Sequence, residues 1–245
     1  MKVNILGVQI DNLNKADVLD KVEKFLSDDR QHYIVTPNPE IVVAAQSDKE
    51  FLGIINRADL AVPDGVGLIF ASRYLKRPLP EKIHGVDLMV DLCRLAEQKN
   101  YSIYLLGGGE GIAKRAAEKL KEKFPGLRMA GAESGGIITD QKLTVNNQVI
   151  NFAKPDILFV AFGAGKQEKW IAKNLENISS IKIAMGVGGA FDFIAGKIKR
   201  APKWMRKIGL EWLWRLFMQP WRWKRILTAT IKFSWKVIKN GKKYA

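Results

Sequence analysis

The chain has 245 residues, a formal net charge of +15 and a hydrophobic fraction of 47%, enough length and apolar content for one large domain or a domain with an appendage. Its single cysteine, Cys93, excludes an internal disulfide and a cysteine-built zinc site and fits a reducing compartment. No stretch reaches the roughly 18 uncharged apolar residues of a spanning helix, and MKVNILGVQIDNL lacks the apolar run and cleavage site of a signal peptide.

In chain order, KADVLDKVEKFL (15–26) carries apolar residues at 18, 19, 22, 25 and 26, the helical period. HYIVT (32–36) and DLAVP (59–63) read as strands, VDLMVDLCRLAEQ (86–98) as a helix and YSIYLLG (101–107) as a strand. GIAKRAAEKLKEKF (111–124) is again helical, followed by strands at LRMAGA (127–132), DILFVAFG (156–163) and IKIAMGVG (181–188). The alternation predicts an α/β fold with a parallel sheet between helices. From Gly196 onward the character changes: fifteen basic residues stand against one acid, Glu211, while the preceding part is close to neutral. The sequence therefore divides into a body, 1–195, and a basic, aromatic helical appendage, 196–245. Six of the seven tryptophans lie in the appendage. Short helices broken near Pro202 and Gly209 are expected first. One helix is expected after Pro220, with an apolar stripe at 223, 226, 227, 230, 231, 234, 237 and 238 and lysines along another face.

In a parallel sheet the loops that follow the strands share one rim, where ligands bind. Those loops bring Thr36 and Asn38 (TPNPE), Asp64 (DGVG), Gly107 and Gly108 (GGGEG), Gly136 (ESGG), Gln167 (GAGKQEKW), and Gly188, Gly189 and Asp192 (VGGAFDF). Any one of them is an ordinary turn; six on one edge point to a shared ligand site. The LLGGGEGIAKR junction offers backbone N–H groups and a helix N-terminus to a phosphate. Glu133 stands where a dinucleotide fold has its ribose-binding acid, but Ile112 replaces the third glycine of that fingerprint. A phosphorylated nucleotide and NAD(P) both stay open. Asp64, flanked by glycine, is either a general base or a helix cap.

His32 opens a strand and reads as structural, and no spacing supports a histidine metal site or a Ser-His-Asp triad. There is no Asp-x-Asp pair to hold a metal against a sugar-nucleotide diphosphate, so a departing diphosphate calls for protein cations, which the appendage has. Three readings of the appendage stay open: a membrane-surface segment, a helix packed on the body, or a nucleic-acid binder.

The segments VTPNPEIVVAAQ, ADLAVPDGVGL, HGVDLM, FGAGKQEKWI and GVGGAFDFIAGKIKRAPKWMRKIGLEWLWRL together resemble the bacterial WecG/TagA/CpsF-type glycosyltransferases, over nearly the whole chain. The resemblance implies a Rossmann-like core unlike the two commonest glycosyltransferase folds, and an inverting, metal-independent reaction without cofactor. It implies transfer of an N-acetylmannosamine-type sugar from a UDP donor to polyprenyl-diphosphate-linked GlcNAc, for polymers such as the wall teichoic acid linkage unit. Asp64 then matches the family's catalytic base. Thr36, Asn38, Lys82 and Gln167 match positions that hold donor sugar or acceptor. Gly188, Gly189 and Asp192 line the nucleotide pocket with Gly107, Gly108 and Gly136, and Arg215, Arg222 and Arg225 reach the diphosphate.

The implied partners are a UDP-sugar, the lipid-linked acceptor and an anionic membrane surface at the cytoplasmic face, with no nucleic acid; the sequence allows a homo-oligomer. The chain departs from the family at Lys82, where arginine is usual and bidentate geometry is lost, at Gly165, where proline is common, and at Ile137 and Ile138, where an aromatic pair is frequent. A different UDP-sugar, such as the uronic acid, an NAD(P)-dependent enzyme and a non-enzymatic adaptor are the competing readings.

Overall fold

The computed structural model describes residues 1–135 and 147–244. The elements run β1 (Lys2–Ile5), β2 (Val8–Asp11), α1 (Lys15–Ser27), β3 (His32–Val35), α2 (Pro39–Ala45), α3 (Lys49–Asn56), β4 (Leu60–Ala61), α4 (Val66–Tyr74) and α5 (Gly85–Gln98). They continue with β5 (Ser102–Gly107), α6 (Ile112–Lys123), β6 (Arg128–Glu133), α7 (Asn147–Ala153), β7 (Ile157–Ala161), α8 (Lys166–Asn174), β8 (Ile183–Gly186) and α9 (Ala190–Ile194). The C-terminal segment forms α10 (Lys203–Lys207), α11 (Glu211–Met218), α12 (Trp223–Leu227) and α13 (Phe233–Asn240). The chain divides into two compact units: Met1–Lys15 with Thr36–His84 and Ile198–Ala245, and Ala16–Val35 with Gly85–Lys197.

The second unit is a parallel sheet in the order β3-β8-β7-β5-β6, against which α5, α6 and α8 pack. Its central strands are buried at every position, which is why SIYLLG, ILFVA and IAMG are apolar throughout rather than alternating. Crossovers through α6 and α8 bring β5 beside β6 and β7 beside β8. Among the described residues β6 pairs with β5 alone, and it is partly open to solvent along its length. His32 is structural, as expected: its ring stacks on Phe25 with centroids 3.8 Å apart and its Nε2 lies 2.9 Å from each oxygen of Asp28.

The first unit opens with an antiparallel hairpin, β1 on β2, that the alternation analysis did not anticipate. Its two-residue turn, Leu6-Gly7, has both residues at positive φ, 53° and 87°, matching the twist of a hairpin. The Asp11 carboxylate accepts from Ala61 N at 2.9 Å and so ties the hairpin to β4. The strand expected at 59–63 shortens to Leu60–Ala61, because Pro63 has no N–H for a ladder. Two helices begin on side-chain caps: Asn38 Oδ1 accepts from Ile41 N and Asp48 Oδ1 from Phe51 N, both at 2.9 Å.

The C-terminal helices pack within this unit on α2 and α4. Breaks near Pro202 and Gly209 occur as expected, since α10 and α11 flank them. The helix expected after Pro220 is interrupted by a π turn at Thr228–Lys232. A π turn adds a residue to the helical repeat and rotates everything beyond it. The buried face is therefore Phe233, Val237 and Gly241; of the expected stripe only Val237 lies on it, while Trp223, Leu227, Ile231 and Ile238 are exposed. Phe233 reaches toward Gly67, where an added Cβ would stand 3.7 Å from its ring, and Gly241 lies against Leu75. Among the described residues no helix is long and apolar enough to cross a membrane.

Candidate active site

A cavity of about 360 Å³ lies in the first unit. Its wall includes Asn38, Asp64, Lys82, Arg215, Arg222 and Arg225, brought from four separate stretches of chain. The backbone fixes the loop that carries the carboxylate. Asp64 N donates to Pro37 O at 2.8 Å, and Ile83 N donates to Pro63 O at 2.9 Å, which sets residue 84 beside residue 64. Gly65 follows at φ 106°, a conformation that needs glycine, and lets α4 start directly after Asp64.

His84 is the residue that the sequence analysis passed over. Its Nδ1 lies 3.2 Å from Asp64 Oδ1 and 3.6 Å from Glu211 Oε2, and Glu211 Oε1 is 3.3 Å from Arg200 Nε. Burial pulls the His84 pKa down, but the hydrogen bond to Asp64 and the charges of Asp64 and Glu211, opposed by Arg200, leave it above its ordinary value. Residues 64, 84 and 211 have no common spacing, so only the fold joins them. The one available hint was compositional: Glu211 is the sole acid in a strongly basic segment.

The expected substrate-binding residues divide by what they touch. Asn38 faces the cavity while its side chain caps α2. Thr36 is half-buried and outside the cavity wall. Lys82 donates to Arg206 O at 2.6 Å, at the C-terminal end of α10 where unpaired carbonyls favour a cation. Burial lowers the Lys82 pKa, against the attraction of Glu211 and Asp64. Arg225 makes a bidentate pair with Glu40, at 2.6 and 3.0 Å.

In the second unit, the loop ends of β5, β7 and β8 gather as the rim rule predicts. Gly108 N donates to Ala161 O at 3.0 Å, and Gly107 has φ 110° with no room for a Cβ, which would stand 2.7 Å from that same oxygen. Gln167 is buried and engaged at both ends of its amide. Its Oε1 accepts from Gly188 N at 2.9 Å and its Nε2 donates to Glu168 Oε1 at 2.8 Å. It thereby shapes the turn holding Gly188 and Gly189, ahead of α9. Asp192 lies 3.7 Å from Lys197. Gly136 falls outside the described residues. Burial pushes the Cys93 thiol up to about 12, so it is no nucleophile at neutral pH.

An α/β chain that sets a carboxylate into an arginine-lined cavity carries what a group-transfer enzyme needs to accept a proton from a hydroxyl and to offset phosphate charge. The chain belongs to the WecG/TagA/CpsF family of glycosyl transferases, whose model matches residues 3–245. It is 34% identical over 232 residues to the N-acetylglucosaminyldiphosphoundecaprenol N-acetyl-beta-D-mannosaminyltransferase of Bacillus subtilis (strain 168), spanning 94% of this chain and 89% of that one. The protein of the same name from Staphylococcus aureus (strain MRSA252) is 36% identical over 246 positions, covering 99% of this chain and 94% of the relative.

Proposed function

We propose that the chain transfers N-acetylmannosamine from UDP-N-acetylmannosamine to GlcNAc-diphospho-undecaprenol at a membrane surface, in the assembly of a wall teichoic acid linkage unit. The observation that carries this reading is Asp64 sharing one cavity with Arg215, Arg222 and Arg225. Asp64 takes the proton of the acceptor's sugar hydroxyl. The hydroxyl oxygen forms the new bond to the anomeric carbon, and the bond from that carbon to the UDP phosphate oxygen breaks, its electron pair leaving with UDP. Attack opposite the leaving group inverts the anomeric centre. The arginines offset diphosphate charge, Thr36, Asn38 and Lys82 hold the sugars, and the glycine loop ends at Gly107, Gly108, Gly188 and Gly189, with Asp192, take the nucleotide.

Residues 196–245 bind the membrane and close the site in this reading. It is supported by four appendage tryptophans, Trp204, Trp221, Trp223 and Trp235, each more than half exposed beside fifteen basic residues. Indole rings favour the lipid–water boundary, and each lysine or arginine near an anionic surface contributes about 1 kcal/mol. The chain then works as a peripheral protein on the cytoplasmic face, meeting an acceptor whose lipid never leaves the bilayer.

A panel of UDP-sugars with a short-chain lipid-diphosphate-GlcNAc acceptor, read by mass spectrometry with and without EDTA, tests the proposal. The expected product is one added N-acetylmannosamine, formed equally with the chelator. Transfer of the uronic acid instead would reassign the donor. No transfer from any UDP-sugar, together with NAD binding and no UDP binding by titration, would remove the reading altogether.

A further inference from the structure

The appendage has fifteen basic residues and a single acid, and the cavity gives that acid a definite task. Glu211 opens α11 and is braced by Arg200 at 3.3 Å. Its other oxygen lies 3.6 Å from His84 Nδ1, on which Asp64 Oδ1 converges at 3.2 Å. His84 Nε2 is buried and has no hydrogen-bond partner among the described residues. An imidazole so placed keeps its proton on Nδ1: a lone pair there would face carboxylates, and a buried Nε2–H would lack an acceptor.

We infer that His84 is a positioning residue for Asp64, donating Nδ1–H to one carboxylate oxygen, and that Glu211 makes this positioning depend on the C-terminal segment. The inference rests on the reading of Asp64 as the base. Holding one oxygen fixes the plane of the carboxylate, and so the direction from which the acceptor hydroxyl must approach. Glu211 acts by charge rather than by a hydrogen bond: its Oε2, at 3.6 Å, favours a protonated Nδ1 on that side of the ring over a bare lone pair and so keeps the imidazole from turning over. The charged groups around the ring are Asp64, Glu211 and Arg200, with Lys82 attracted to both acids. The appendage thus supplies more than positive charge: its one carboxylate reaches the base through a histidine.

The test uses the full chain in four variants, H84A, H84N, E211Q and D64N. Asparagine places an N–H donor close to where Nδ1 stands, so it separates the loss of the hydrogen bond from the loss of the ring. H84A should lose about 10–100-fold in kcat, the scale of a misplaced reacting group, with the KM for the UDP-sugar unchanged. H84N should recover most of that, and E211Q should lose less than H84A. Independently of turnover, 15N-edited NMR of the unchanged chain, taken above the titration midpoint, should find the neutral His84 ring protonated on Nδ1. Its titration midpoint should fall in both E211Q and D64N, because each removes an anion that favours the imidazolium.

Full kcat in H84A, no recovery in H84N, a neutral ring protonated on Nε2 instead of Nδ1, or a midpoint unmoved in E211Q would each overturn the inference. Thermal unfolding of every variant identifies one that fails to fold, and the NMR of the unchanged chain then decides. Absence of transfer by the unchanged chain would count against the proposed reaction instead, leaving the titrations to judge the His84 contacts.

Discussion

The two candidate regions are built from opposite materials. The rim of the second unit is made of backbone: glycines at positive φ, turns pinned by Gly108 N on Ala161 O and by Gly188 N on Gln167 Oε1. The cavity of the first unit is made of side chains: a carboxylate, a histidine, a braced glutamate and arginines carried in from the C-terminal helices. Backbone sites bind through N–H groups that any sequence could offer, so their cost falls on conformation and space. Side-chain sites depend on particular charges and leave the fold largely indifferent to which charge is there. A substitution should therefore damage chemistry in one region and stability in the other.

The sharpest attempt to break that contrast is D64N. It removes the proton acceptor while keeping the size of the side chain, so turnover should fall by about 10²–10⁴ with the melting temperature little changed. Steady-state kinetics beside a thermal melt give the answer, and a D64N chain that keeps its rate removes Asp64 from the mechanism. Next in size is Arg225. A charge-assisted contact to diphosphate corresponds to about 1.5–3 kcal/mol, so R225A should cost about 10–100-fold in kcat/KM for the acceptor. Glu40 holds the same guanidinium bidentately, so E40Q, which frees it, should lower the acceptor KM a few-fold. Losses of similar size in R225A and E40Q would mean that the ion pair acts as structure rather than as a store for a diphosphate-binding arginine.

The same division governs what could be seen in the sequence. The central strands of the second unit were legible because burial on both faces makes them runs of apolar residues, and their glycine loop ends because glycine at a strand's end is a conformational statement. Asp64, Asn38 and the arginines were found through motifs, and they do share a cavity. His84 and Glu211 were not found, since their meaning lies in a distance between residues 127 positions apart. The hairpin escaped because Leu6-Gly7 is not one of the common turn pairs and Leu6 is buried at positive φ. The apolar stripe of the last helix was assigned its phase on the assumption of a uniform repeat, and the π turn at Thr228–Lys232 undoes that assumption. Local rules carry as far as the local repeat does.

The smallest effect belongs to the backbone region and is best read from a matched pair, G107A and G109A. Both glycines have positive φ, 110° and 83°, so both substitutions incur the strain of an L-residue in that region, on the order of 1–2 kcal/mol. They differ in space. At Gly107 the new Cβ would stand 2.7 Å from Ala161 O and 2.8 Å from Ala161 C, main-chain atoms of the neighbouring strand that cannot swing aside. At Gly109 nothing lies within 4 Å. The contact should at least double the cost, since the β5 and β7 ends must part and the Gly108 N–H bond to Ala161 O stretches with them. For a chain of this size each kcal/mol moves the melting temperature by roughly 2–4 °C. G109A should therefore melt a few degrees low and G107A on the order of 10 °C low. Equal shifts would show that φ alone matters and that the close approach of the two strand ends tolerates a methyl group.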